Sequence, residues 1–268
     1  MYPPERDLRP TSNSAELHLL YQCNLACVAC TRGSFLSQPP VAPMTIDDVH
    51  EFIRQATELD WVPGIVITGG EPTLHPQFLE IVRIASEFTH STNKSDRATE
   101  RASGNYVRIF SNAYTEKSRR LLEEASGRYR ASIVRDTWKL GGSVTSAADY
   151  PGWTEDVFVS PTDLGKPLRA PCYQHSSEIC GISVDSEGYS PCSPGGGLGA
   201  LLGVGKTKRL ADLFDREKVA ALSAELCGAC GSQAVGMNIL TREEVDAQPK
   251  RFGAPMSSVW IKAFEGRR

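Results

Sequence analysis

The sequence predicts an α/β fold, a partial, open (β/α) barrel of about five or six parallel strands, and three observations carry that expectation. Short apolar or β-branched runs alternate with segments whose apolar residues recur at helical spacing, as in parallel sheets with crossover helices. Polar, cysteine-bearing or glycine-bearing stretches follow those runs directly, at the strand ends where parallel folds keep their chemistry. The alternation then weakens after residue 135. Only about twenty residues, among them Gly141, Gly142, Pro151 and Gly152, separate a fourth strand from Val157-Phe158-Val159, a candidate fifth. A complete eight-unit barrel does not fit in 268 residues with that spacing.

Each element has its own local reason. Glu16 to Tyr21 (ELHLLY) reads as the first strand and delivers a cysteine loop at its end. Thr45 is a helix N-cap with Asp48 three residues on, and Val49, Phe52, Ile53 and Ala56 follow at helical spacing. Gly64 to Thr68 (GIVIT) is a β-branched run expected to be buried on both faces, followed at once by Gly69-Gly70-Glu71-Pro72. His75, in Leu74-His75-Pro76, reads as a loop or cap residue. Phe78, Leu79, Ile81, Val82 and Ile84 form a helical stripe within 76–88. Residues 89–105 turn polar and read as a surface insertion longer than a usual connection. Tyr106 to Phe110 is the third strand, ending in Ser111-Asn112. Thr115 caps a helix to Ala125, and Arg130 to Val134 is the fourth strand, ending in Arg135-Asp136. Arg135 could pair bidentately with a carboxylate and Asp136 could accept a proton; a structural salt bridge would use the same residues.

Composition limits the partners. The formal net charge is −3 with no long basic run, so nothing electrostatic points to nucleic acid or an anionic membrane. No apolar segment approaches a membrane span and the N-terminus lacks a signal-peptide core, from which a cytoplasmic location is expected. All eight cysteines fall in two tight groups, which in a reducing compartment read as metal ligands before disulfides.

The first group, Cys23, Cys27 and Cys30, has the spacing CxxxCxxC. Soft thiolates this close suit iron or zinc, and iron–sulfur clusters normally take four cysteines. Three ligands leave one metal position open to a substrate or cofactor. The same positions would also mark one buried face of a helix. CxxxCxxC followed about forty residues later by GGEP resembles the radical S-adenosylmethionine (radical SAM) superfamily. That resemblance implies a four-iron, four-sulfur cluster on Cys23, Cys27 and Cys30. It also implies S-adenosylmethionine chelated to the open iron, and its reductive cleavage to a 5′-deoxyadenosyl radical. It further implies that Gly69, Gly70 and Glu71 bind the methionine amino group, and that Ser111 and Asn112 lie near the ribose. An external one-electron reductant such as flavodoxin or ferredoxin is implied as a partner. The chain departs from the family at Ala29, where an aromatic residue usually packs near adenine; Phe35 or Tyr173 could substitute.

The second group holds Cys172, Cys180, Cys192, Cys227 and Cys230 within about sixty residues. Cys180 to Cys192 reads as two short strands around a turn, followed by a glycine-rich loop (SPGGGLG) and a helix over Leu210 to Leu226. This resembles the twitch form of the SPASM extension, a small hairpin-plus-helix domain implied to bind an auxiliary four-iron, four-sulfur cluster. Cys192, Cys227 and Cys230 fit its pattern, with either Cys172 or Cys180 as the fourth ligand. Spacing alone leaves tetrahedral zinc as an alternative. The division expected is residues 1–165 for the partial barrel, 166–240 for the auxiliary domain and 241–268 for a tail, with Trp260 and Phe264 at helical spacing, packing on the barrel.

By resemblance the protein is a radical SAM oxidoreductase that dehydrogenates a small polar substrate, with the auxiliary cluster accepting the second electron. Asp136, Asp163 and His175 are the candidate deprotonating residues. Epimerisation or crosslinking of a ribosomal peptide is the alternative, disfavoured because about sixteen residues before the first strand leave no space for a peptide-recognition domain. A non-catalytic, zinc-stabilised scaffold is the third reading.

Overall fold

The computed structural model describes residues 14–25, 30, 41–91, 106–135, 158–166, 181–231, 240–251 and 254–266. The first half alternates β1 (Ser14–His18), α1 (Ile46–Glu58), β2 (Gly64–Thr68), α2 (Phe78–Ser91), β3 (Val107–Ser111), α3 (Glu116–Tyr129) and β4 (Ser132–Arg135). The second half contains β5 (Ile182–Asp185), β6 (Gly188–Ser190), α4 (Ser193–Leu202) and α5 (Arg216–Ala229). After these come α6 (Arg242–Asp246), the two-stranded ribbon β7 (Lys250–Arg251) and β8 (Ala254–Pro255), and α7 (Ser258–Glu265). Among the described residues six strands form one open sheet in the order β4-β3-β2-β1-β5-β6, parallel except for β6, which pairs antiparallel with β5.

Local signals place the helix ends. Thr45 and Asp48 form the reciprocal capping box of α1, with Thr45 Oγ1 accepting the Asp48 N–H at 3.1 Å and Asp48 Oδ2 accepting the Thr45 N–H at 2.7 Å. Thr115 caps α3 by accepting the Ser118 N–H at 3.0 Å, and Arg130 ends that helix in the left-handed region at φ 57°. Before α2, His75 is buried: Nε2 lies 2.8 Å from the Met44 carbonyl and Nδ1 accepts the Gln77 N–H at 3.1 Å. Burial holds its pKa below the ordinary histidine value, so the ring is neutral with the proton on Nε2.

Alternation along the strands separates two faces. Ala15, Leu17, Ile65, Ile67, Val107, Ile109, Ile182 and Val184 join one apolar core with Phe52 of α1, Ile81 of α2 and Leu122 of α3. Each such fully buried large side chain contributes roughly 1.5–3 kcal/mol. The alternate residues Glu16, His18, Ser183 and Asp185 are also buried, and α4 lies against that polar face. Ser193 Oγ donates to Glu16 Oε2, and His18 Nε2 is 3.4 Å from the same carboxylate. Tyr21 Oη donates to Asp185 Oδ2 at 2.7 Å, and Lys206 pairs with that carboxylate.

Three expectations are corrected. The stretch SPGGGLG is the body of α4, not a loop. Glycine costs about 1 kcal/mol per residue in a helix, but here it permits contact that a side chain would block. A Cβ on Gly196 would sit 2.8 Å from Ser183 Oγ, 2.9 Å from Ser183 Cβ and 3.1 Å from His18 Cε1. Phe158 and Val159 are not in a strand: Phe158 packs on Trp260 and Phe264 with ring centroids at 5.3 and 5.9 Å, and Val159 packs with Leu240 and Val245. Among the described residues the strand that follows β4 is Ile182–Asp185, beside β1. The helix expected over Leu210 to Leu226 splits into a 3-10 turn (Leu210–Phe214) and α5, because Asp215 accepts the N–H groups of Glu217 and Lys218 and starts a new helix there.

The hairpin read around Cys180 to Cys192 does form, as β5 and β6, and the parallel β1–β5 pairing makes it an extension of the main sheet. Trp260 and Phe264 are buried in a second apolar cluster with Leu198, Leu201, Leu226 and Ala229, so α7 packs on α4 and α5. Most of the polar insertion at 89–105 lies outside the described residues. No helix among the described residues is long and apolar enough to cross a membrane.

Two helical glycines should respond oppositely to a methyl group. Gly196→Ala is expected to lower stability by about 1–3 kcal/mol through overpacking, which outweighs the propensity gain. Gly127→Ala in α3, where a Cβ meets nothing within 4 Å, is expected to raise it by about 1 kcal/mol. Urea unfolding midpoints of the two variants check both signs.

Candidate functional site

The parallel register brings the C-terminal ends of β1 to β4 to one edge, with His18 opposite Thr68 and Ser111 opposite Arg135. Cys23 and Cys30, both partly exposed, lie in the chain after β1, and Cys27 falls outside the described residues. Gly69-Gly70-Glu71 follows β2 and is pressed against the entry to that loop. Gly70 N donates to Leu20 O at 2.7 Å and Glu71 N to Gln22 O at 2.9 Å. A Cβ on Gly69 would lie 2.3 Å from Leu20 O, and one on Gly70 would lie 2.1 Å from Gln22 O. Gly69 also adopts φ 144°, a region side chains avoid. Close approach of backbone is what these glycines permit. The partner that comes close is the chain's own cysteine segment.

Glu71 is fully buried and its carboxylate gathers four protein donors. Oε1 accepts from Thr73 N at 3.1 Å, Thr73 Oγ1 at 2.6 Å and Ser111 Oγ at 2.8 Å; Oε2 accepts from Asn112 N at 2.9 Å. An ionised carboxylate offers about four lone-pair directions, so little of Glu71 is left for a ligand. Its work in this fold is to latch the end of β2 to the end of β3.

The β3 end is organised by the same contacts. Ser111 Oγ accepts the Ala113 N–H at 3.0 Å and Asn112 Oδ1 accepts the Tyr114 N–H at 2.9 Å. These bonds hold Ala113 at φ 49°, a left-handed conformation that costs a residue with a side chain about 1–2 kcal/mol. Asn112 Nδ2 then reaches across to the cysteine loop, donating to Asn24 Oδ1 at 2.8 Å and to Cys23 Sγ at 3.7 Å. Leu25 N donates to the same sulfur at 3.4 Å. Cys23 Sγ itself donates to Asn24 Oδ1 at 3.8 Å; as a thiolate, the form a soft-metal ligand takes, it would lose that bond and keep the two N–H donors.

The remaining candidates are spread more widely. Arg135 ends β4 at the same edge. Asp163 is exposed, and its Oδ2 accepts from Ser258 Oγ at 2.8 Å and Val259 N at 2.9 Å, at the N-terminus of α7. Asp136 and His175, like Cys172, Cys180, Phe35 and Tyr173, lie outside the described residues. Cys192 is the N-cap residue of α4, Cys227 lies in the last turn of α5, and Cys230 follows it. A Cβ on Gly195 would be 3.0 Å from Leu226 Cδ1 and 3.1 Å from Cys192 Sγ, so the two cysteine-bearing helix ends adjoin. Among the described residues no three His, Cys, Asp or Glu side chains converge on a metal-sized point, and each cysteine group has a member outside them. The buried Glu16–His18 pair went unremarked in the sequence; the alternation of ELHLLY was the available signal, since it turns both polar side chains away from the apolar core.

Removing the Glu71 acceptors strands four donors, two of them backbone N–H groups. Glu71→Ala is expected to destabilise the ligand-free protein by roughly 3–5 kcal/mol and Glu71→Gln by about 1–3 kcal/mol, measured by urea unfolding.

The Radical SAM superfamily model matches residues 18–130, from the end of β1 through α3. The AdoMet-dependent heme synthase of Methanosarcina barkeri is 35% identical over 65 residues, 24% of this chain and 18% of that protein. The probable GTP 3′,8-cyclase of Pyrococcus horikoshii is 35% identical over 75 residues, 28% of this chain and 23% of that protein. The match therefore spans about a fifth of the length of these curated relatives. Among solved structures, BtrN in complex with AdoMet and 2-DOIA superposes with a TM-score of 0.43 at 14% identity, over 82% of this chain and 89% of that one. The cysteine loop, the GGEP strand end and the Ser111-Asn112 strand end all fall within the matched segment, and the chain carries a radical SAM superfamily domain over residues 18–130.

Proposed function

We propose that this protein is a radical SAM oxidoreductase that dehydrogenates a small polar substrate, with a second iron–sulfur cluster taking up the second electron. The superfamily domain implies a four-iron, four-sulfur cluster and S-adenosylmethionine, and Cys23, Cys27 and Cys30 would hold the cluster. Bound there, the two supply one-electron cleavage of a sulfonium and hydrogen abstraction from the substrate. The chain's own residues supply placement. An ammonium group at the strand end, which can only donate, would be accepted by the carbonyls of Gly69 and Gly70, because the Glu71 carboxylate already accepts four protein donors. Arg135, at the end of β4, is proposed to pair with a carboxylate. The deprotonating group is assigned to Asp136, Asp163 or His175.

One observation carries the two-cluster reading. The helix that begins at Cys192 packs on the strand that leads to Cys23, through Ser193 on Glu16 and Gly196 on His18, while β5 pairs with the same strand. Both cysteine groups therefore stand on one continuous scaffold. Cys192, Cys227 and Cys230 would hold the auxiliary cluster together with Cys172 or Cys180.

Anaerobic purification followed by iron and sulfide analysis tests this reading. Two clusters predict about eight iron and eight sulfide per chain, falling to about four of each in Cys192→Ala. Zinc without sulfide would end the enzyme proposal. Incubation with S-adenosylmethionine and a reductant is expected to release 5′-deoxyadenosine. A product two mass units lighter than substrate supports dehydrogenation, whereas retained solvent deuterium at unchanged oxidation level would point to epimerisation.

A further inference from the structure

We propose that Asn112 is a positioning residue for the cysteine loop, and that its side-chain amide, by donating to Cys23 Sγ, raises the reduction potential of a cluster bound there. The inference rests on the reading that Cys23 is a cluster ligand. Asn112 is buried, and its backbone N–H and both polar atoms of its side chain have protein partners. Its backbone N–H goes to Glu71 Oε2 at 2.9 Å, and its Oδ1 accepts the Tyr114 N–H at 2.9 Å. With Oδ1 held by that bond, the carboxamide plane is set and Nδ2 points at the loop, where it meets Asn24 Oδ1 at 2.8 Å and Cys23 Sγ at 3.7 Å. The two hydrogens of one amide thus tie two consecutive loop residues to the end of β3. Because Asn112 N is also held by the Glu71 latch, the position of Cys23 is referred to the sheet itself.

The electrostatic consequence has a definite sign. An N–H dipole directed at a thiolate sulfur draws off negative charge and stabilises the more negatively charged, reduced cluster, so it raises the potential. Leu25 N, at 3.4 Å, does the same from within the loop. Asn112 differs in coming from another strand, so it contributes to the orientation of the loop as well as to the charge on the sulfur.

The test uses the full chain, reconstituted anaerobically with iron and sulfide. Asn112→Asp keeps the shape and the acceptor for Tyr114 N–H but loses both N–H donors; Asn112→Ala removes the group. Midpoint potentials from EPR-monitored titration are expected to fall in both, further in Asn112→Asp because a carboxylate adds negative charge. Iron retained by the first site after gel filtration is expected to fall as well. Both variants keep the backbone N–H to Glu71, and far-UV circular dichroism checks their folding. A measurement on the unaltered protein runs in parallel: asparagine labelled with 15N in its side-chain amide should show a weak coupling to the reduced cluster by pulsed EPR. Absence of that coupling, or unchanged potentials in fully loaded variants, overturns the Asn112 assignment alone. Failure of the wild-type protein to take up iron and sulfide overturns the cluster reading and this inference with it.

Discussion

The buried carboxylate of Glu71 is the constraint on which the site depends. A carboxylate placed at the end of a central parallel strand must be compensated, and here it is compensated by donors from three places: its own 3-10 turn, the hydroxyl of Ser111 and the backbone of Asn112. The β2 and β3 ends cannot then drift apart without exposing or stranding charge. α3 joins the same arrangement, since Thr73 Oγ1 lies 2.8 Å from Ser118 Oγ in its first turn. A strand-end motif that reads as a ligand contact is, in the folded chain, first a clamp between neighbouring strands.

On the other side of β2 the constraint is steric. Gly69 and Gly70 have no room for a Cβ because the carbonyls of Leu20 and Gln22 occupy the space. Backbone pairing that begins as the β1–β2 ladder is thereby continued past the strand, through Gly70 N to Leu20 O and Glu71 N to Gln22 O, up to the residue before Cys23. The cysteine loop is thus tethered from both sides, by glycine backbone from β2 and by the Asn112 amide from β3.

The polar face of the sheet sets the relation between the two cysteine groups. Glu16, His18, Ser183 and Asp185 would be costly to bury without partners, and α4, Tyr21 and Lys206 supply them. Truncating the helix surface to glycine lets α4 come close enough for Ser193 to reach Glu16. The helix starting at Cys192 is therefore fixed relative to β1 by hydrogen bonds as well as by packing, and α7 covers its other side through Trp260 and Phe264.

Much of this protein was legible in the sequence, because the signals concerned are local. Helical and strand periodicities marked the first three βα units and the fourth strand, Thr45 and Thr115 marked helix starts, and the cysteine and glycine motifs marked the strand ends that form the site. Cys23, Gly69, Gly70, Glu71, Ser111 and Asn112 were all named from short motifs through their resemblance to the radical SAM superfamily. Only the tertiary structure decided what those residues touch. That Glu71 and Asn112 serve protein donors and acceptors depends on β2 and β3 lying side by side, which no spacing of residues forty apart along the chain encodes. Long-range burial likewise turned SPGGGLG into a helix, left Phe158 and Val159 out of the sheet, placed Ile182–Asp185 next to β1 and put Asp163 at the N-terminus of α7. Local sequence sets propensity and capping, whereas the partner that satisfies a buried polar group or fills a gap is chosen by the whole fold.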